Sequence, residues 1–225
     1  MTQPLQIRLL GGLHISIPEK PALRFSARRA EVLLAYLALN RREHSRETLA
    51  TLLWDDRPHK QAMANLRALL AQLPKGIRPY LKTSRQVVMF KPDASLWGDS
   101  LAFVELLEQA TTIETMAEAL KLYTGPFLDG VFVRESRGLE EWTAVLREQL
   151  NYKAIDAHLH ICYAALHQRM YSQGIAHARA LLALDPLREE AHRLLMRLLA
   201  RDGQYNAALA QYENCRQVLA EELGV

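Results

Sequence analysis

The sequence predicts an α+β N-terminal domain over residues 1–92 and an all-α C-terminal domain over 93–225. Three observations carry this. The hydrophobic period runs from two to about 3.6 and back to two within the first 92 residues, then stays helical from Asp99 onward. The last part matches itself at a shift of 34 residues. Charge divides at Pro92: residues 1–92 carry 16 Lys+Arg against 6 Asp+Glu, and residues 93–225 carry 12 against 19. The overall +3 is therefore the average of a +10 half and a −7 half. A basic half joined to an acidic one suggests a polyanion-binding module attached to something else.

In the basic half, Leu5-Gln6-Ile7-Arg8-Leu9 alternates, Gly11-Gly12 turns the chain, and Leu13-His14-Ile15-Ser16-Ile17 alternates again before Pro18. Leu23-Arg24-Phe25 is a candidate third strand. Ser26 is the candidate N-cap of a first helix reaching Asn40, and Ser45 opens a second that ends at Trp54. A third helix runs from His59 to Leu73, stopped by Pro74 and Gly76. Tyr80–Thr83 and Val87–Phe90 then form a hairpin around Ser84-Arg85. Strands, three helices and a hairpin are the order of a winged helix-turn-helix, with the third helix as reader and the hairpin as wing.

In the acidic half, helices cover Phe103–Leu107 and Met116–Leu122, and a loop over 125–135 follows. A long helix spans Ser136 to Arg169, and shorter helices finish the chain, with Asp185-Pro186 as cap and first-turn proline of one of them. At the 34-residue shift Tyr171 meets Tyr205, Gly174 meets Ala208, Ala178 meets Tyr212 and Leu181 meets Cys215. That period resembles the tetratricopeptide repeat, so stacked helical hairpins with a groove for a protein partner are expected. Trp97, Trp142, Phe127, Phe132 and Tyr123 read as core.

On a helical wheel of residues 59–73, Ala62, Leu66, Leu69, Leu70 and Leu73 face inward. The other side carries Lys60, Gln61, Ala64, Arg67, Ala68 and Ala71, with Asn65 on a flank. Alanines let a backbone approach the major groove. Arg67 suits guanine, and Gln61 or Asn65 suits adenine. Arg28, Arg29, Arg46, Lys82, Ser84 and Arg85 are candidate phosphate contacts. The helix N-terminus at Ser45-Arg46 would offer backbone N–H groups to a phosphate.

These stretches resemble a known family. Leu5–Gly11 through Phe90 is similar to the OmpR/PhoB-type winged helix in the form found in SARP-type bacterial transcriptional regulators. Leu139-Glu140-Glu141-Trp142 with Arg147, the stretch Asp185–Met196, and Tyr212–Val225 match the bacterial transcriptional activation domain (BTAD) that follows it there. The resemblance implies a transcriptional activator that binds double-stranded promoter DNA at direct repeats, sits on it as a head-to-tail homodimer, and contacts RNA polymerase. It implies a cytoplasmic, nucleoid-associated protein without a cofactor. The wing Thr83-Ser84-Arg85-Gln86 departs from the glycine-aromatic pair of relatives, and Ala71-Gln72-Leu73-Pro74 replaces their second Leu-Arg pair. Relatives continue past Leu223-Gly224-Val225, so a fragment of a longer chain is expected. No receiver domain precedes Leu5, so aspartyl phosphorylation is not expected as the switch within this chain.

No phosphate-binding, dinucleotide or nucleophile-elbow motif is present, and no enzyme is expected. Two cysteines, Cys162 and Cys215, exclude a disulfide framework and suit a reducing compartment. No secretory signal and no membrane span are read. His160 and His167 share a helix face without a carboxylate nearby, and the histidines read as structural. The alternative to a DNA reader is a TPR-like interaction scaffold whose basic domain binds protein or binds nucleic acid without sequence preference. RNA binding is disfavoured by the lack of stacking aromatics on a sheet face.

Overall fold

The computed structural model describes residues 3–133 and 136–223. It divides into two compact units, residues 1–103 with 122–150 and residues 104–121 with 151–225. The packing boundary therefore does not coincide with the charge boundary at residue 92, because residues 93–103 and 122–150 belong to the first unit.

In the first unit, β1 (Leu5–Arg8) pairs antiparallel with β2 (His14–Ser16), Ile7 opposite Ile15. Leu5 and Ile7 are buried and the alternate residues point outward, as a period of two requires. The turn between them uses Gly11 at φ +79 and Gly12 at φ +145, backbone that side-chain-bearing residues rarely adopt. The third strand is not Leu23–Phe25, which forms no ladder. It is β6 (Leu96–Gly98), parallel to β1 with Leu5 opposite Leu96. Pro18 and Pro21 leave the segment between β2 and the first helix poor in ladder donors.

β6 runs directly into α4 (Asp99–Gln109), and Asp99 joins the two ends of the sheet region. Its carboxylate accepts the Leu9 N–H at 2.8 and 2.9 Å, the Leu10 N–H at 3.0 Å and the Ser100 N–H at 2.7 Å. Asp99 is buried, and burial pushes its pKa up despite the opposing pull of these donors.

Three helices follow the first hairpin: α1 (Arg28–Leu39), α2 (Arg46–Leu53) and α3 (His59–Ala71). Ala27, not Ser26, occupies the N-cap of α1, and the Ser26 hydroxyl instead donates to Gln72 Oε1 at 3.0 Å. Ser45 caps α2, accepting the Thr48 N–H at 2.9 Å. Ala62, Leu66 and Leu69 bury the inner face of α3; Leu73 is buried just beyond its end, and Leu70 is only half-buried. The wing is β4 (Leu81–Thr83) and β5 (Val87–Phe90). A two-residue strand not foreseen from sequence, β3 (His44–Ser45), pairs with the other edge of β5.

Residues 122–150 close the first unit. Leu128 N–H donates to Leu9 O at 2.7 Å, and Phe127 is fully buried. Trp142 meets Tyr36 and Phe127 edge-on, at ring-centroid distances of 5.1 and 5.5 Å. Phe132 departs from the expected core: it is 86% exposed.

The second unit contains α5 (Ile113–Leu120), the later part of α6 (Arg137–Gln168), then α7 (Tyr171–Leu184), α8 (Glu189–Arg201) and α9 (Tyr205–Leu223). The 34-residue shift places Tyr171 and Tyr205 at the first positions of α7 and α9. Cys162, Ala165, Ile175, Ala178, Leu194 and Leu198 are central to its core. Not every equivalence holds: Ala178 is buried, whereas Tyr212 is exposed. Asp185 is the C-cap of α7 and not the N-cap of α8, which starts after Arg188. The Asp185 carboxylate is engaged by Arg188 Nε at 3.0 Å. Among the described residues no helix is long and apolar enough to cross a membrane.

Two stability effects follow. Asp99→Ala strips the acceptor from buried N–H groups and is expected to cost about 3 kcal/mol, with Asp99→Asn costing less. Urea denaturation checks both, and equal losses would show that charge, not acceptor geometry, is what matters. Gly174→Ala inverts the usual helix preference. A Cβ there would lie 2.6 Å from Leu198 Cδ2 and 2.9 Å from Ala165 Cβ. Overpacking is expected to cost about 1–3 kcal/mol and lower the melting temperature.

Candidate nucleic-acid interface

The local folding of the first unit brings three arginines from three elements together. Register fixes them: Ser45 stands opposite Val87, and the Arg46 N–H donates to Gln86 O at 2.9 Å. The first residue of α2 is thereby held at the wing. At the wing tip the Ser84 hydroxyl accepts the Gln86 and Val87 N–H groups at 3.2 and 3.0 Å, a serine turn in place of glycine. Arg46, Arg67, Ser84 and Arg85 then line one open cleft of about 630 Å³, with Met63 and Thr83. A second cleft of about 380 Å³ shares Arg46, Arg67 and Thr83 and adds Arg78.

Among the described residues Arg46 Nε is buried without a hydrogen-bond partner. An orphaned cationic donor beside two more guanidinium groups is an arrangement that an anion would complete. Along α3, Lys60, Gln61, Ala64, Arg67 and Ala68 are exposed, and Asn65 is half-buried. Pro58 at the N-cap of α3 supplies no side-chain acceptor to its first turn.

The remaining expected contacts are partly engaged elsewhere. Arg28 is exposed and pairs with Glu31 at 3.0 Å. The Arg29 guanidinium lies 5.2 Å over the Trp54 ring. Lys82 pairs with Glu43 at 3.2 Å. None of the three lines the two clefts. Arg78, Met63 and Thr83 were missed from sequence. Arg78 sits in a one-turn 3₁₀ helix, Arg78–Tyr80, whose only sequence signal is a basic residue before Pro79 ahead of the wing.

Outside this face several histidines and both cysteines are buried. His192 is buried, bonded to Pro186 O at 2.9 Å and Gln211 Nε2 at 2.7 Å. His160 does have a carboxylate neighbour, contrary to expectation: Asp156 Oδ2 lies 3.4 Å away, one turn earlier on the same helix. His158 and His177 lie 19 residues apart in sequence, with no motif linking them, yet their Nδ1 atoms are 2.9 Å apart. Both cysteines are free and buried, and burial pushes Cys162 up to about 12. Among the described residues no group of three or more His, Cys, Asp or Glu could hold a metal ion.

Residues 102–225, more than half of the chain, match the bacterial transcriptional activator domain (BTAD). The chain belongs to the BTAD family. Its N-terminal winged helix places it among the SARP-type regulators. Regulatory protein AfsR of Streptomyces griseus is 30% identical over 223 residues, covering 89% of this chain and 21% of that protein. AfsR of Streptomyces coelicolor is 29% identical over 215 residues, covering 89% and 20% respectively. The chain thus spans about a fifth of the length of these curated relatives. A structure of Mycobacterium tuberculosis EmbR in complex with a low-affinity phosphopeptide superposes at a TM-score of 0.65 and 25% identity. It covers 99% of this chain and 62% of that one. Three helices, a hairpin wing and a helical C-terminal part, in that order, are the fold of this transcriptional activator family.

The histidine pair is expected to make the second unit acid-sensitive. Burial pushes His158 down to about 4, with His177 as a second cause. The unfolded chain takes up that proton near the ordinary value of 6.5, and the folded chain resists it. Stability is thus full above that value and falls as pH drops toward 4, by about 3 kcal/mol at most. Thermal melts at stepped pH should show the slope, and His158→Gln should flatten it. An unchanged slope would place the acid sensitivity elsewhere.

Proposed function

We propose that this BTAD-family chain is a sequence-specific, double-stranded-DNA-binding transcriptional activator that reads promoter repeats with α3 and the wing. The observation that supports this best is the convergence of Arg46, Arg67 and Arg85 from α2, α3 and the wing onto one cleft. Within it, Arg67 reads a base, flanked by Gln61, Asn65 and the small Ala64 and Ala68, with Lys60 toward the N-terminus of the helix. Arg46, Ser45, Ser84, Arg85 and Lys82 hold phosphates, with Arg28 and Arg29 at the periphery. Arg78 joins the phosphate set, because it lines the adjoining cleft.

Two copies bind head-to-tail on direct repeats, and the acidic helical half meets RNA polymerase. Residues 1–92 act as the DNA-binding domain and residues 93–225 as the activation domain. The chain works in the cytoplasm at the nucleoid. Its role is binding, not catalysis.

Selection from random duplexes should return a direct-repeat motif whose affinity falls steeply with salt. Arg67→Ala is expected to cost about 1–3 kcal/mol and relax one base position, whereas Arg46→Ala should weaken all sequences alike. A uniform loss with Arg67→Ala would remove the base-reading role. Binding without sequence preference in the unmutated chain would favour the scaffold alternative.

A further inference from the structure

Another concavity of the first unit lies among residues that the basic clefts do not use. Its floor is Val32 of α1, Leu128 and Leu139, each no more than 2% exposed, and its volume is about 340 Å³. Phe132, Thr143 and Arg147 stand around it. That size lies within the range of small-molecule sites, which are mostly apolar with a few placed polar groups.

Backbone geometry sets this hollow apart from a packing gap. Leu128 is almost fully buried yet has φ +51, and Gly130 follows at φ +65. A leucine persists in the left-handed region only where its surroundings over-determine it. Here the Leu128 N–H donates to Leu9 O at 2.7 Å, and Arg147 Nη2 donates to Leu128 O at 3.2 Å. The loop is anchored at its base and turned so that Phe132 stands 86% exposed beside an apolar hollow.

Arg147 supplies the polar end. Its Nε donates to Phe127 O at 3.0 Å and its Nη2 to Leu128 O. Two bonds orient the plane of the guanidinium, and three of its five N–H groups are left over. Both bonds go to backbone carbonyls, not to a carboxylate. An oriented guanidinium at the edge of an apolar cavity matches a carboxylate carried on an apolar body. Glu140 also lines the pocket but is exposed, so solvent screens it from a bound anion.

We propose that this pocket binds a small amphipathic carboxylate, its apolar tail on Val32, Leu128 and Leu139 beside Phe132 and its head group on Arg147. The site is independent of the DNA-reading proposal, since none of its residues lines the basic clefts.

Calorimetric titration of the full chain with octanoate tests it. Saturable one-to-one binding is expected, with 1-octanol and octylamine each weaker by roughly tenfold or more, because neither offers a charged acceptor. Ala144 lines the pocket and is exposed, so Ala144→Trp should fill the hollow and abolish octanoate binding without lowering the melting temperature. Phe132→Ala should weaken binding several-fold. Octanol binding as tightly as octanoate, non-saturating uptake, or full binding by a folded Ala144→Trp chain would each overturn the proposal. Because the octanol comparison uses the unmutated protein, a misfolded variant does not rescue it.

Discussion

The first unit depends on one buried carboxylate. Asp99 receives N–H groups from the end of β1 and from the first turn of α4, so residues some ninety positions apart in sequence are held by one side chain. β6 is positioned by the same junction, because it ends at Gly98 and pairs in parallel with β1. From there the loop around Phe127 and Leu128 adds to the same strand end, through Leu9 O and the contacts of Leu10. A carboxylate buried against its own solvation preference is tolerated because each donor it accepts would otherwise be an orphan. The N-terminal strand, the junction and the start of the acidic half thus form one packed unit.

Much of the architecture was legible in periodicity. The alternation of Leu5–Leu9, the Ser45 cap and the inward stripe of α3 all survive in the structure. What escaped was short or non-local. β3 has two residues and β6 three, too few for a period, and both exist because a neighbouring strand offers an open edge. Ser26 looked like a cap, yet its hydroxyl found Gln72, a partner 46 residues away that no local pattern announces. The chemistry of Phe132 alone places it inward, while the positive φ of Leu128 and Gly130 turns it out. In the candidate interface, α3 and the wing were readable as surfaces. That Arg46, not Arg28 or Arg29, would join them depends on the pairing of β3 with β5.

Charge and packing obey different boundaries. The basic-to-acidic change falls at residue 92, but the packing unit continues through β6 and takes in residues 122–150. Charge is a surface property and answers to what the surface meets, whereas burial answers to which apolar faces are available. The family match beginning at residue 102 runs through both units in the same way, so a sequence family, a charge block and a packing unit are three separate partitions of this chain.

The pairing of β3 with β5 has a kinetic meaning. Because the strand before α2 is hydrogen-bonded to the wing, the wing tip and the start of α2 cannot swing apart without breaking ladder bonds. Their ordering entropy is spent when the chain folds and not when it meets a ligand. Encounter with a polyanion would then be a docking of preset surfaces, with its rate governed by diffusion and ionic atmosphere and not by loop rearrangement.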